Sequence, residues 1–168
     1  MLFSEAINKA LDECLQDPCV LLCGQLVNYG HSALTKGLEE KYPSQLVTYP
    51  VSENLMNSSA MGLSLAGKRP IVLHERFDFF VVGMDALVNH IPLWQKKCGI
   101  KLPLVMLVVV GHGKGQGPQQ NKDFTQWFRE MDGWTVMEPK TPMSAYLELH
   151  AAVKMDSPVL FVIHRELY

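Results

Sequence analysis

Glu53 stands where an apolar and β-branched run, Leu46-Val47-Thr48-Tyr49, gives way through Pro50-Val51-Ser52 to a helix-forming stretch rich in small side chains. A carboxylate at such a junction complements the helix dipole and the free N–H groups of the first turn. It can equally serve as an acid–base group aimed at a ligand. A second chemical feature is the aromatic cluster Phe77, Phe79 and Phe80, which supplies either core packing or a flat face for a bound ring. A third is the loop Gly111-His112-Gly113-Lys114-Gly115-Gln116-Gly117. It has the glycines and lysine of a phosphate cradle, but neither the spacing and terminal Lys-Ser/Thr of a P-loop nor the spacing of a dinucleotide fingerprint. Cys14, Cys19, Cys23 and Cys98 form no zinc-type pairing and no secreted disulfide framework, so no metal site is expected and they read as small core residues in a reducing, cytoplasmic setting.

These residues are positioned by short apolar strands alternating with helical patterns. The spacing predicts strands near 20–24, 46–50, 70–74, 103–110, 134–138 and 159–164, and helices near 4–16, 32–41, 53–66, 80–91, 123–131 and 142–155. Strands rich in Val, Leu and Ile between helices predict an α/β fold, a mostly parallel sheet with helices on both faces. Ligands of such sheets sit beyond the carboxyl ends of the strands. Glu53, the turn at 77–79 and the glycine loop all fall at that edge. With 168 residues and 48% hydrophobic content, the chain is expected to form one domain spanning 1–168. A net charge of −2 with scattered Lys and Arg argues against nucleic acid. The longest apolar run, 102–110, contains a proline and is too short to span a bilayer, so no membrane partner is expected.

From residue 4 to 168 the order of landmarks resembles the pyrimidine-binding domain of transketolase-like thiamine diphosphate enzymes. It is most similar to the N-terminal half of the beta subunit of 2-oxo acid dehydrogenase decarboxylating components. The landmarks are Glu5-Ala6-Ile7 and Ala10-Leu11, Val20-Leu21-Leu22-Cys23-Gly24, Thr35-Lys36-Gly37-Leu38, Pro50-Val51-Ser52-Glu53, and Ala60-Met61-Gly62 with Ala66-Gly67-Lys68-Arg69-Pro70. Phe77-Asp78-Phe79, Asp85-Ala86-Leu87-Val88-Asn89, Leu102-Pro103-Leu104-Val105, the glycine loop with Pro118-Gln119, Trp127-Phe128, Thr141-Pro142 and Ser157-Pro158-Val159-Leu160-Phe161 follow. The resemblance implies a three-layer thiamine diphosphate-binding fold of the pyrimidine-binding type. It lays on Glu53 the family's glutamate, which bonds the aminopyrimidine ring and helps the cofactor act as its own base. Such a carboxyl requires an apolar surround. The stacking aromatic of the family matches Phe79, with Phe77 as the neighbouring candidate, so Glu53, Phe79 and Phe77 are the expected cofactor-binding residues.

The family's Gly-Asp-Gly and Asn signature for the diphosphate does not occur here. The resemblance therefore implies that magnesium and diphosphate are held by a partner, an alpha-type diphosphate-binding subunit or domain, in a homodimer or heterotetramer, and that the chain is active only with it. The chain ends at Tyr168, where family beta subunits continue, which reads as an excised domain or a natural split subunit. Where the family places a substrate-handling His-Ser pair, this sequence has Gln120-Asn121. Gln120 is thus the expected catalytic position beside Glu53, able to donate and accept hydrogen bonds but not to shuttle a proton near neutral pH. Either the substrate differs from that of the usual dehydrogenases, or His112 or His31 takes over. The family's acidic pair after the first strand is replaced by Gln25-Leu26. Asp85 and Asn89 read as structural or interfacial. The expected activity is decarboxylation or acyl transfer on a 2-oxo acid, with a split transketolase-like ketol transferase or a non-catalytic interaction module as alternatives. In that module the apolar residues Val81, Val82, Met84 and Leu87 would serve assembly.

Overall fold

The structure, a computed structural model, describes residues 1–29, 33–111, 117 and 120–168. Strands β1 (Val20–Gly24), β2 (Leu46–Thr48), β3 (Arg69–His74), β4 (Val105–Val110), β5 (Thr135–Met137) and β6 (Val159–His164) form one sheet in the order β2-β1-β3-β4-β6-β5. Every neighbouring pair is parallel. The central strands are almost wholly apolar runs, Val105–Val110 and Val159–His164, because both of their faces are covered.

Alternation of side chains splits those runs between two cores. Leu22, Ile71, Leu73, Val105, Leu107, Val109, Val159, Phe161 and Ile163 face α1 (Phe3–Cys14), α2 (Leu38–Lys41) and α7 (Pro142–Lys154). Cys23, Val72, Met106, Val108, Val110, Leu160 and Val162 face α3 (Glu53–Leu65), α4 (Phe77–Phe80), α5 (Ile91–Cys98) and α6 (Thr125–Glu130). This makes the three layers. Helix α1 buries Phe3, Ile7, Ala10, Leu11 and Cys14, a stripe at helical spacing. Helix α7 begins on Thr141, whose hydroxyl accepts from the Ser144 amide, and has Pro142 in its first turn.

Three expectations need correction. The helix expected near 80–91 is broken into α4, a 3-10 turn at Val81–Gly83, a π-helical turn at Ala86–His90, and α5. Pro92 accounts for the π-helical turn just ahead of α5, since it has no N–H to continue the ladder and its ring crowds the carbonyl four residues back. Leu87 from that segment is wholly buried, while Val82 is exposed. The helix expected at 32–41 is only Leu38–Lys41 among the described residues. Of the cysteines, Cys14 and Cys23 are core residues, their thiols pushed up by burial to about 11 and about 12, but Cys19 and Cys98 are exposed.

Strand β1 lies between β2 and β3, so the chain leaves β1 on one side and returns on the other. That reversal opens a crevice beyond the carboxyl ends of β1 and β3.

Candidate functional site

The crevice is a cleft of about 370 Å³. The end of β1 contributes Gln25 and Leu26, the end of β3 contributes Glu75 and Arg76, α4 contributes Phe79, and the end of β6 contributes Arg165. A recess of about 40 Å³ adjoins it, lined by Glu53, Met56 and His74, and shares Gln25, Leu73, Glu75, Arg76 and Phe79 with the cleft.

Glu53 begins α3 and is half-buried. Its Oε1 accepts a hydrogen bond from Gln25 Nε2 at 3.0 Å. The second oxygen makes no hydrogen bond among the described residues. An amide donating to one oxygen marks the two apart and leaves the other for a ligand. Phe79 is 39% exposed and presents ring surface to both the recess and the cleft. Phe77 is wholly buried and lines neither. It packs edge-on against Phe80 and Phe124, with ring centroids 5.6 and 5.7 Å apart, and tilted against Phe128. Two residues along one helical turn point to different faces, so the structure separates a pocket aromatic from a core aromatic.

Gln120 reaches the cleft because the chain returns tightly against the end of β4. A Cβ on Gly111 would come within 2.6 Å of the Gln120 carbonyl, so only glycine allows this approach. The Gln120 Oε1 accepts from Arg76 Nε at 3.4 Å. Burial, and then the neighbouring Arg165, lower the pKa of Arg76, the mark of two cations sharing one cleft. Phe79 lines both spaces, with Glu53 on the recess and Gln120 on the cleft. His31 and His112 lie outside the described residues, as does the glycine loop from 112 to 116. Asp85 and Asn89 pair with each other at 2.9 Å, exposed and away from the cleft.

Sequence reasoning missed Gln25, His74 and the cleft arginines Arg76 and Arg165 as site residues. Gln25 had a signal, since it occupies the position after β1 where an acid was expected. His74 ends β3, is 3% exposed, and leaves Nε2 without a hydrogen-bond partner; its ring stands edge-on to Phe80 at 4.9 Å. Burial pushes its pKa down to about 3, so it is neutral. Leu26, on the cleft rim, has φ of 56°, strained for a side chain of that size. Among the described residues no cluster of His, Cys, Asp or Glu is gathered to hold a metal ion.

A family model described as the transketolase pyrimidine-binding domain matches residues 1–168. A pyruvate dehydrogenase E1 component subunit beta from Chaetosphaeridium globosum is 32% identical over 174 residues, covering 100% of this chain and 53% of that protein. An acetoin:2,6-dichlorophenolindophenol oxidoreductase subunit beta from Cupriavidus necator is 31% identical over 178 residues, covering 97% and 53%. The chain thus spans about half the length of the curated relatives it matches. A solved structure described as a split gene transketolase, inactive beta4 tetramer, has the same fold, with a TM-score of 0.72 at 20% identity over 98% of this chain and 52% of that one.

Proposed function

The chain belongs to the transketolase pyrimidine-binding domain family, and from that premise we propose that it is the pyrimidine-binding half of a thiamine diphosphate-dependent enzyme acting on a 2-oxo acid. The observation that carries this reading is a Glu53 oxygen without a hydrogen bond among the described residues, facing the exposed ring of Phe79 across one recess. Apolar walls from Met56 and Leu73 complete a slot for a flat heteroaromatic ring with a nitrogen at its edge. When bound, thiamine diphosphate supplies a carbon nucleophile for the carbonyl of the substrate. Glu53 would hold the ring nitrogen through its second oxygen, while Gln25 keeps the carboxyl from rotating. Phe79 stacks on the ring and excludes water from that face.

The cleft beyond the recess receives the substrate. Arg76 and Arg165 favour an anionic group such as the carboxylate of a 2-oxo acid. Arg76 fixes the Gln120 side-chain oxygen, which turns the amide nitrogen into the group able to donate toward a developing oxyanion. Gln120 thereby stabilises charge and does not transfer protons. Magnesium and the diphosphate belong to a diphosphate-binding partner subunit, without which the site is half complete.

The test is calorimetric titration of thiamine diphosphate with magnesium into the chain, alone and mixed with a diphosphate-binding subunit, followed by turnover on a panel of 2-oxo acids. Binding is expected only in the mixture, and Glu53→Gln is expected to abolish turnover while sparing assembly. Full turnover by Glu53→Gln would sink the assignment. The two arginines also suit the phosphate of a ketose phosphate, which makes transketolase-like ketol transfer the second reading. Activity on ketose phosphates and none on 2-oxo acids would select it. A complex that forms but binds no cofactor would leave an interaction module.

A further inference from the structure

Asn57 lies one helical turn after Glu53 on the same side of α3 and is wholly buried. Its Nδ2 donates to the Phe80 carbonyl at 3.2 Å and reaches the Gly83 carbonyl at 3.5 Å. Its Oδ1 is sealed from solvent with no hydrogen-bond partner among the described residues. Sealing a carbonyl oxygen in this way is unfavourable, and leucine would fill nearly the same volume without it. The amide is therefore retained against a local penalty. The helix rests directly on the turn that follows α4. A Cβ on Gly83 would collide with Asn57 Nδ2 and come within 3.0 Å of the Glu53 carbonyl and 3.2 Å of Asn54 Cα.

We propose that Asn57, seated on Gly83, is a positioning residue that sets the spacing between the Glu53 carboxyl and the Phe79 ring. The clasp joins the first two turns of α3 to the carbonyl next to Phe79, so the two groups that must meet one ring at its edge and its face are held by a single side chain. Neither element alone fixes that spacing, since Glu53 belongs to the helix after β2 and Phe79 to the helix after β3. The proposal rests on the cofactor roles given to Glu53 and Phe79 above.

Asn57→Leu keeps the volume and removes the clasp. Gly83→Ala forces the turn away from α3 from the opposite side. Leu149→Ala, in the core on the other face of the sheet, serves as a structural control. Two measurements apply: amide hydrogen exchange across residues 79–84 in the chain itself, and thiamine diphosphate–magnesium titration into the chain mixed with a diphosphate-binding subunit. Asn57→Leu and Gly83→Ala are expected to speed exchange in 79–84 and to weaken cofactor binding about tenfold or more, in keeping with an ångström-scale misplacement. Leu149→Ala is expected to lower Tm while changing neither. Should Asn57→Leu fail to fold, Asn57→Ala and Gly83→Ala are read in the same way. Wild-type exchange and affinity in the Asn57 and Gly83 variants, alongside an inactive Glu53→Gln, would overturn the clasp and leave the cofactor reading intact. A fully active Glu53→Gln would remove the reading on which the clasp depends.

Discussion

Phe77 and Phe79 sit two positions apart, and the physical chemistry of each dictates a different response to mutation. Phe77→Ala removes a wholly buried ring with three aromatic neighbours, and is expected to lower stability by about 3–5 kcal/mol in a denaturant melt. Phe79→Ala, at a side chain 39% exposed, is expected to cost under about 1 kcal/mol while raising the thiamine diphosphate Kd about tenfold in the reconstituted complex. Equal losses of stability in the two variants would contradict this division. Sequence alone offered both rings as stacking candidates, because a run of phenylalanines carries no record of which faces a cleft. Glu53 was legible from its place at a strand-to-helix junction. The position of Gln25 after β1 was legible, but its pairing with Glu53 was not, since the hydrogen bond spans 28 positions of chain and depends on β1 and β2 lying side by side. His74 read as one more strand residue; only the packing of α4 over β3 shows that it is buried and unpartnered.

At the scale of elements, the ends of β5, β6 and α6 are tied by one carboxylate. Glu138 accepts from His164 Nε2 at 2.7 Å and also meets Arg129 and Lys140. Burial alone would raise its pKa, but hydrogen bonds from Lys140, His164 and Arg129 outweigh it and hold the carboxyl down at about 2. In the unfolded chain Glu138 titrates near 4.5, so the unfolded state binds the extra proton between those values, and this stabilisation, complete above pH 4.5, is lost as pH falls toward 2. His74 acts in the same direction in a higher window. It takes up a proton near 6.5 when unfolded and only near 3 when folded, so its contribution erodes as pH falls from 6.5 to 3. Thermal melts across pH are expected to show Tm falling from about 6.5 downward. His74→Phe should flatten the limb between 6.5 and 4.5, and Glu138→Gln should flatten only the part below 4.5 and lower stability by about 1–3 kcal/mol at neutral pH. A limb unchanged by either substitution would place the acid sensitivity elsewhere. The strands were legible to within two residues because short apolar runs rich in Val, Leu and Ile have few other uses. The segment from 77 to 98 was read as one shorter, regular helix, since a proline marks only the turn just ahead of itself, here Ala86–His90, and leaves no trace in the residue types of the earlier 3-10 turn at Val81–Gly83.

At the scale of the whole molecule, the three layers bury two cores of similar make-up and leave the carboxyl edge of the sheet as the place where chemistry-bearing residues gather. That edge follows from topology, so the parallel α/β pattern sufficed to locate it. The arginine pair in the cleft did not follow, since Arg76 and Arg165 come together only when β3, β4 and β6 are ordered. Raising ionic strength is expected to weaken capture of an anionic substrate in the reconstituted enzyme, and Arg76→Gln to raise KM more than it lowers kcat; an unchanged KM would remove Arg76 from the substrate end. The sheet also closes itself off at both sides. Its outer strands, β2 and β5, are three residues each, so little unpaired backbone is left for another chain to zip onto. Edge-to-edge strand pairing is therefore a poor route by which this protein could grow into larger assemblies. Infrared amide I spectra should accordingly stay constant as copies associate, and amyloid-type strand stacking should be a difficult route for the folded chain.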